Sequence, residues 1–141
     1  KALTGKLLGL ILFIIILDQF SKIVSLKLGI PIAFNTGISF GLFSYLGQGV
    51  IVLNVVIIFI LLYLLVRSKN GSLWFKIGIS LLLSGSVTNL IDRLARGSVV
   101  DFIKLPLLNF WPLFNVADAA ITLGIGLIIL SDVITSKSQT A

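Results

Sequence analysis

Long apolar runs constrain the fold of this chain more than any other feature. Residues 7–17, 50–66 and 121–130 are almost wholly apolar. A helix needs about 20 predominantly apolar residues to cross the hydrocarbon core of a bilayer. We therefore expect an all-α membrane protein, a single domain over residues 1–141. Its four transmembrane helices are predicted at about 4–26, 49–66, 72–94 and 114–135.

Two of the predicted connections are too long for simple turns. Residues 29–48 mix β-branched and aromatic residues with glycines, which predicts a small β-rich extracytoplasmic platform between helices 1 and 2. Residues 96–112 contain a Val-Val-Asp-Phe-Ile string and two prolines, and predict a short strand between helices 3 and 4. Because successive helices alternate in direction, both loops are expected on the same face of the membrane.

The composition excludes several kinds of site. The chain has no Cys and no His, so thiol nucleophiles, Cys or His metal sites and Ser-His-Asp triads are ruled out, and we expect neither a metal nor a cofactor. The net charge is +6, but the basic residues are scattered, so nucleic acid is not an expected partner. Lys and Arg at the ends of apolar runs are typical of membrane flanks, and their distribution favours both termini in the cytoplasm.

Polar side chains near the ends of predicted helices 1, 3 and 4 fall on one membrane face. Within each helix their spacing of three or four residues places them on one side of the helix. An ionisable residue in a membrane segment is costly and therefore usually functional. We expect one common site from Asp18 and Lys22 of helix 1, Asn89, Asp92 and Arg93 of helix 3, and Asn115 and Asp118 of helix 4.

Asp101 and Asp118 allow two interpretations. Two carboxylates brought together in a partly dry site do not both ionise easily, and a pair that shares one proton can activate water against an amide carbonyl. The alternative is structural: each caps a helix or turn, with Asn115 or Asp118 at the start of helix 4. Spacing alone leaves both open.

The other polar residues favour structural roles on the same reasoning. Asp92 beside Arg93, and Asp18 one turn before Lys22, predict ion pairs that hold each carboxylate ionised. Asn35 and Gly37 are typical of a turn in the platform loop, with contact to a substrate as the alternative. Asp132, near the far end of helix 4, is expected to be a solvated charge.

Five strings occur in an order that resembles the signal peptidase II family, also called lipoprotein or prolipoprotein signal peptidases. They are LDQFSK at 17–22, NTGISFG at 35–41, NLIDR at 89–93, GSVVDFI at 97–103 and FNVAD at 114–118. The resemblance covers nearly the whole chain. One departure is Thr88, where the family usually has Gly immediately before the Asn of NLIDR.

The resemblance implies an aspartic endopeptidase of the bacterial cytoplasmic (inner) membrane. It would remove signal peptides from diacylglyceryl-modified prolipoproteins, cutting before the lipidated cysteine at the outer face. The expected partners are the lipidated prolipoprotein and membrane lipids, and a monomer is expected. The resemblance assigns catalysis to Asp101 and Asp118, substrate binding to Asn35, Gly37, Asn89, Arg93 and Asn115, and support to Asp18, Lys22 and Asp92.

Two other classes fit the composition less well. A transporter or proton channel expects carboxylates near the bilayer midplane, often with repeated halves, whereas these aspartates lie near one surface and no repeat is visible. A membrane scaffold would not need Asp101 and Asp118. A presenilin-like protease expects a Gly-x-Gly-Asp string, which the sequence lacks.

Overall fold

Four long helices account for most of the protein. The structure, a computed structural model, describes residues 2–37, 46–68, 71–108 and 110–139, with backbone alone for 137–139. All four helices are long and apolar enough to cross a membrane. The predicted four-helix membrane fold is confirmed, with helix ends shifted by a few residues. The helices are α1 (Ala2–Leu28), α2 (Gly49–Arg67), α3 (Leu73–Arg96) and α4 (Val116–Gln139).

Local capping fixes both ends of α3. The hydroxyl of Ser72 accepts a hydrogen bond from the backbone N–H of Phe75 at 3.1 Å, which satisfies one of the free N–H groups of the first turn. Gly97 ends the helix in the left-handed conformation, with φ of 78°. A residue without Cβ adopts this conformation at little cost, and the chain can therefore turn directly into the loop after α3.

Helix α3 is the centre of the bundle and packs against the other three helices. In the most apolar stretch of 18 residues in α3, 56% of the residues are buried, whereas the corresponding share is 17% in each of the other three helices. The contact with α4 is close: a Cβ at Gly78 would lie 2.8 Å from the carbonyl oxygen of Gly124, and one at Gly85 would lie 2.6 Å from that of Ala117. Small residues permit such close approach of membrane helices.

A two-stranded antiparallel sheet joins the two predicted loops. Strand β1 (Ala33–Asn35) comes from the first loop and β2 (Val99–Asp101) from the second, with Ala33 opposite Asp101 and Asn35 opposite Val99. A further bridge between Ile103 and Phe114 closes the second loop just before α4. The strands predicted for each loop thus pair with each other. Residues 38–45 of the predicted platform lie outside the described residues.

Candidate active site

The first turn of α4 holds Asn115 and Asp118 in the protein interior. The Asn115 side-chain oxygen accepts the backbone N–H of Asp118 at 2.9 Å, and Asp118 Oδ2 accepts the backbone N–H of Asn115 at 3.4 Å. This reciprocal arrangement is a capping box with Asp in the usual Glu position. It explains why α4 begins at Val116 instead of residue 114. The predicted capping contact therefore exists, and it leaves Asp118 Oδ1 directed at Asn89, whose amide donates to it at 3.3 Å.

Asp101 lies at the end of β2, with 2% of its surface exposed. Its Oδ1 accepts the side-chain amide of Asn115 at 2.6 Å, and its Oδ2 accepts that of Asn35 at 3.1 Å. Burial, and next the negative charge of Asp118, raise the pKa of Asp101 to about 6, while the two amide donors and Lys22 oppose the rise. Asn115 therefore contacts both carboxylates, and their charges act on each other.

Asn35 adopts the predicted turn and also reaches Asp101. Its side-chain oxygen accepts the backbone N–H of Gly37 at 2.9 Å, which closes a local turn. Because the oxygen is occupied in this way, the amide nitrogen is directed at Asp101. One end of the amide group thus closes the predicted turn and the other end contacts Asp101, while contact of Asn35 with a substrate stays a prediction.

A buried ion cluster lies next to the carboxylate pair. Lys22 is fully buried, and its ammonium nitrogen lies 2.6 Å from Asp18 Oδ2, 2.8 Å from Asp92 Oδ2 and 3.2 Å from Asn89 Oδ1. These three acceptors match the three hydrogens of an ammonium group. Since Lys22 binds the oxygen of the Asn89 amide, the nitrogen of that amide is the atom that faces Asp118.

The predicted pairing of Asp92 with Arg93 is wrong. Asp92 instead forms ion pairs with Lys22 and with Arg96, which is one turn further along α3. Adjacent residues on a helix point in different directions, whereas residues four apart lie on the same side. Arg93 is 6% exposed and donates to the backbone oxygens of Asn89, at 3.2 Å, and of Gly37. It therefore ties α3 to the turn after β1.

The sequence analysis missed two side chains that complete the ion cluster. Gln19 donates to Asp92 at 2.9 Å and to the hydroxyl of Thr88 at 2.8 Å. Thr88 is fully buried and donates to Asp18 at 2.7 Å. Thr88 thus places a hydroxyl group between α1 and α3. The signal was present in the sequence, because both residues adjoin predicted site residues within apolar helices.

The structure brings all of the predicted site residues into one connected set of contacts. Their functional roles remain predictions. Within the described ranges, no group of three or more acidic residues is placed to hold a metal ion. The connected set comprises Asp18, Lys22, Asn35, Gly37, Asn89, Asp92, Arg93, Asp101, Asn115 and Asp118.

The chain was compared with known protein families and solved structures. Residues 10–134 match a family model described as signal peptidase (SPase) II. The chain is 37% identical to the lipoprotein signal peptidase of Thermodesulfovibrio yellowstonii, over 84% of this chain and 88% of that protein. It is 36% identical to that of Shouchella clausii, over 91% and 93%. A bacterial membrane enzyme solved by the in meso method at 2.3 Å superposes with a TM-score of 0.84 and 28% identity, over 97% of this chain and 92% of that chain.

Proposed function

The chain belongs to the signal peptidase II family, and on that premise we propose that it is an aspartic endopeptidase acting on diacylglyceryl-modified prolipoproteins. Membership makes it a multi-pass membrane peptidase that removes signal peptides from prolipoproteins. The proposal adds the catalytic type and the position of the cut, immediately before the lipidated cysteine.

The observation that carries the proposal is the buried pair of Asp101 and Asp118 joined through Asn115. They are 2% and 4% exposed, and the raised pKa of Asp101 favours a pair that keeps one proton. The ionised carboxylate takes a proton from water as the water oxygen attacks the scissile carbonyl, and the protonated carboxyl donates to the carbonyl oxygen. A proton then passes to the leaving amine as the C–N bond breaks.

The surrounding groups support a binding site for an extended peptide. In the described part of the chain, β1 pairs only with β2, and its second edge can accept a peptide strand. Arg93 Nε is buried without a hydrogen-bond partner among the described residues, so it is a donor suited to a substrate carbonyl. Asn35, Gly37, Asn89, Arg93 and Asn115 would then contact the substrate, while Asp18, Lys22 and Asp92 hold the framework.

The proposed placement in the bacterial inner membrane has both termini in the cytoplasm and the carboxylate pair at the outer face. The basic flanks of the apolar runs support this direction. The acyl chains of the substrate would stay in the lipid while the peptide reaches the carboxylates between the helices. A monomer supplies every residue that this scheme uses.

Cleavage of a purified lipidated precursor, followed by gel shift, tests the proposal. We expect Asp101→Asn and Asp118→Asn each to lower the rate at least about a hundredfold, the scale of general acid–base catalysis. Thermal unfolding should show both variants folded, and Asp132→Asn, on the exposed far end of α4, serves as the matched control. A non-lipidated precursor should not be cut.

Two results would contradict the catalytic assignment. Normal processing by folded Asp101→Asn protein would remove the carboxylate pair from the mechanism. Loss of activity in a metal chelator would indicate a metal-dependent peptidase, whereas the proposed pair needs only water and one proton.

A further inference from the structure

We propose that an apolar cleft at the opposite end of the bundle from Asp101 and Asp118 binds an anionic phospholipid. The cleft lies between α1 and α2, with α3 as its floor, and has a volume of about 770 Å³. Ligand sites typically measure about 300–1,000 Å³. None of the residues that line the cleft belongs to the carboxylate site or to the ion cluster.

The walls of the cleft suit an acyl chain. Leu and Ile side chains make up most of the lining, among them Ile11, Ile58 and Leu83. Helices α1 and α2 each pack against α3, and the cleft lies between them. Because lipid tails are as apolar as Leu, the walls alone do not distinguish one lipid from another. Selectivity has to come from the polar end of the cleft.

The polar end of the cleft is positively charged. Thr4, Ser68 and Lys76 line it where α1 begins, α2 ends and α3 begins, and Lys76 is half-buried. The Ser68 hydroxyl donates to the backbone oxygen of Leu65 at 2.8 Å, so the donors offered to a phosphate are the Lys76 ammonium group and the Thr4 hydroxyl. Basic pockets between transmembrane helices bind anionic headgroups. Among the described side chains, the segments at this end carry one acid, Asp132, against Lys6, Arg67 and Lys76.

The same charge disfavours the helix of a signal peptide as the occupant. A signal peptide begins with a basic region, which would be repelled beside Lys76. An anionic headgroup at the same place is attracted. The charge therefore selects a lipid over the apolar helix of a substrate.

A lipid bound in the cleft would stabilise the part of the bundle that adjoins the carboxylate site. At the inner end of the cleft, Ile15 lies one turn before Asp18, and Val87 directly precedes Thr88. The side chains of Asp18 and Thr88 form one of the hydrogen bonds that join α1 to α3. An acyl chain in the cleft therefore packs against Ile15 and Val87, next to this contact. Binding of the lipid is expected to stabilise the folded protein.

Native mass spectrometry and thermal unfolding of delipidated protein test the proposal. The probes are phosphatidylglycerol, phosphatidylcholine with the same acyl chains, glycerol 3-phosphate and a non-lipidated signal peptide. We expect phosphatidylglycerol to be retained and to raise the unfolding temperature more than phosphatidylcholine does. Lys76→Gln should weaken phosphatidylglycerol binding about fivefold, since one basic residue near a headgroup contributes about 1 kcal/mol. Lys6→Gln, an exposed position outside the cleft, should leave binding unchanged.

A second variant keeps the test informative if Lys76→Gln fails to fold. Leu62→Trp places a large side chain in the cleft and should reduce both the retention of phosphatidylglycerol and the rise in unfolding temperature that this lipid causes. Equal binding of phosphatidylcholine, equal effects of the two lysine variants, or full stabilisation by glycerol 3-phosphate alone would overturn the proposal. Displacement of the lipid by the signal peptide would assign the cleft to the substrate instead.

Discussion

The carboxylate of Asp18 accepts the backbone N–H of Ala117 at 2.9 Å, so a side chain of α1 caps the first turn of α4. The same carboxylate binds Lys22 at 2.6 Å through its other oxygen. A negative group at a helix N-terminus is favourable, and here it also fixes the turn that carries Asp118. Asp18 therefore links the ion cluster to the turn that carries Asp118, in addition to the link through Asn89.

Replacement of Asp18 by Ala should destabilise the protein strongly. The change leaves buried Lys22 with one ionic partner and Ala117 without its cap, and loss of one member of a buried ion pair costs about 3–5 kcal/mol. Thermal unfolding in detergent measures the effect, and cleavage should fall in parallel because Asp118 loses its support. Asp132→Ala removes the same charge from an exposed position and should change neither quantity. An unfolding temperature equal to that of the control would show that the Ala117 and Lys22 contacts are dispensable.

Some contacts of this site can be predicted from the sequence, and others cannot. The Asp18–Lys22 contact follows from i,i+4 spacing on one helix, and the helices follow from the length of the apolar runs. The pairing of β1 with β2 does not follow, because it joins residues far apart in the sequence, such as Phe34 and Val100. Asp92 pairs with Arg96 instead of the adjacent Arg93, because residues four apart lie on the same side of a helix. Long-range geometry, rather than local pattern, decides the pairing of the strands.

The Asn35→Ala variant should shift the pH dependence of cleavage. Asn35 donates to Asp101 and lowers its pKa, so removal of this amide raises the pKa above about 6. The singly protonated pair then persists to higher pH. In the plot of kcat/KM against pH, the descending limb should shift to higher pH by about 0.5–1 unit. This is the shift expected for loss of one hydrogen bond of about 1 kcal/mol.

The control for this shift is Asn54→Ala. Asn54 is a buried asparagine that donates to the backbone oxygen of Ser86 at 3.3 Å and has no hydrogen bond to Asp101. The descending limb of kcat/KM for Asn54→Ala should lie at the same pH as that of the parent protein. A lower rate for Asn35→Ala without any displacement of the limb would mean that Asn35 acts on the substrate alone.

The stability of the protein should also depend on the charge of Asp101. Its pKa is raised from 3.8 to about 6 on folding, so the folded state binds more protons than the unfolded state between these values. The free energy of unfolding therefore falls as pH rises through this window, by up to about 3 kcal/mol from this group. Asp101→Asn removes the effect. Relative to the parent, this variant should gain stability between pH 4 and pH 7, as measured by thermal unfolding; a constant difference across this range would contradict the raised pKa.

Gly85 sets how closely α4 approaches α3, and Gly85→Ala should disturb the site without touching a polar group. The added Cβ would lie 2.6 Å from the backbone oxygen of Ala117, which cannot move without shifting the turn that holds Asp118. Overpacking of this kind costs about 1–3 kcal/mol, and cleavage should fall further than stability because Asp118 moves away from Asn89. Gly126→Ala on α4 meets no atom within 4 Å and is the matched control. Unfolding temperature and kcat/KM are measured for both variants. If Gly85→Ala matched Gly126→Ala in both quantities, a wider spacing of α3 and α4 at Gly85 would have no effect on the carboxylate pair.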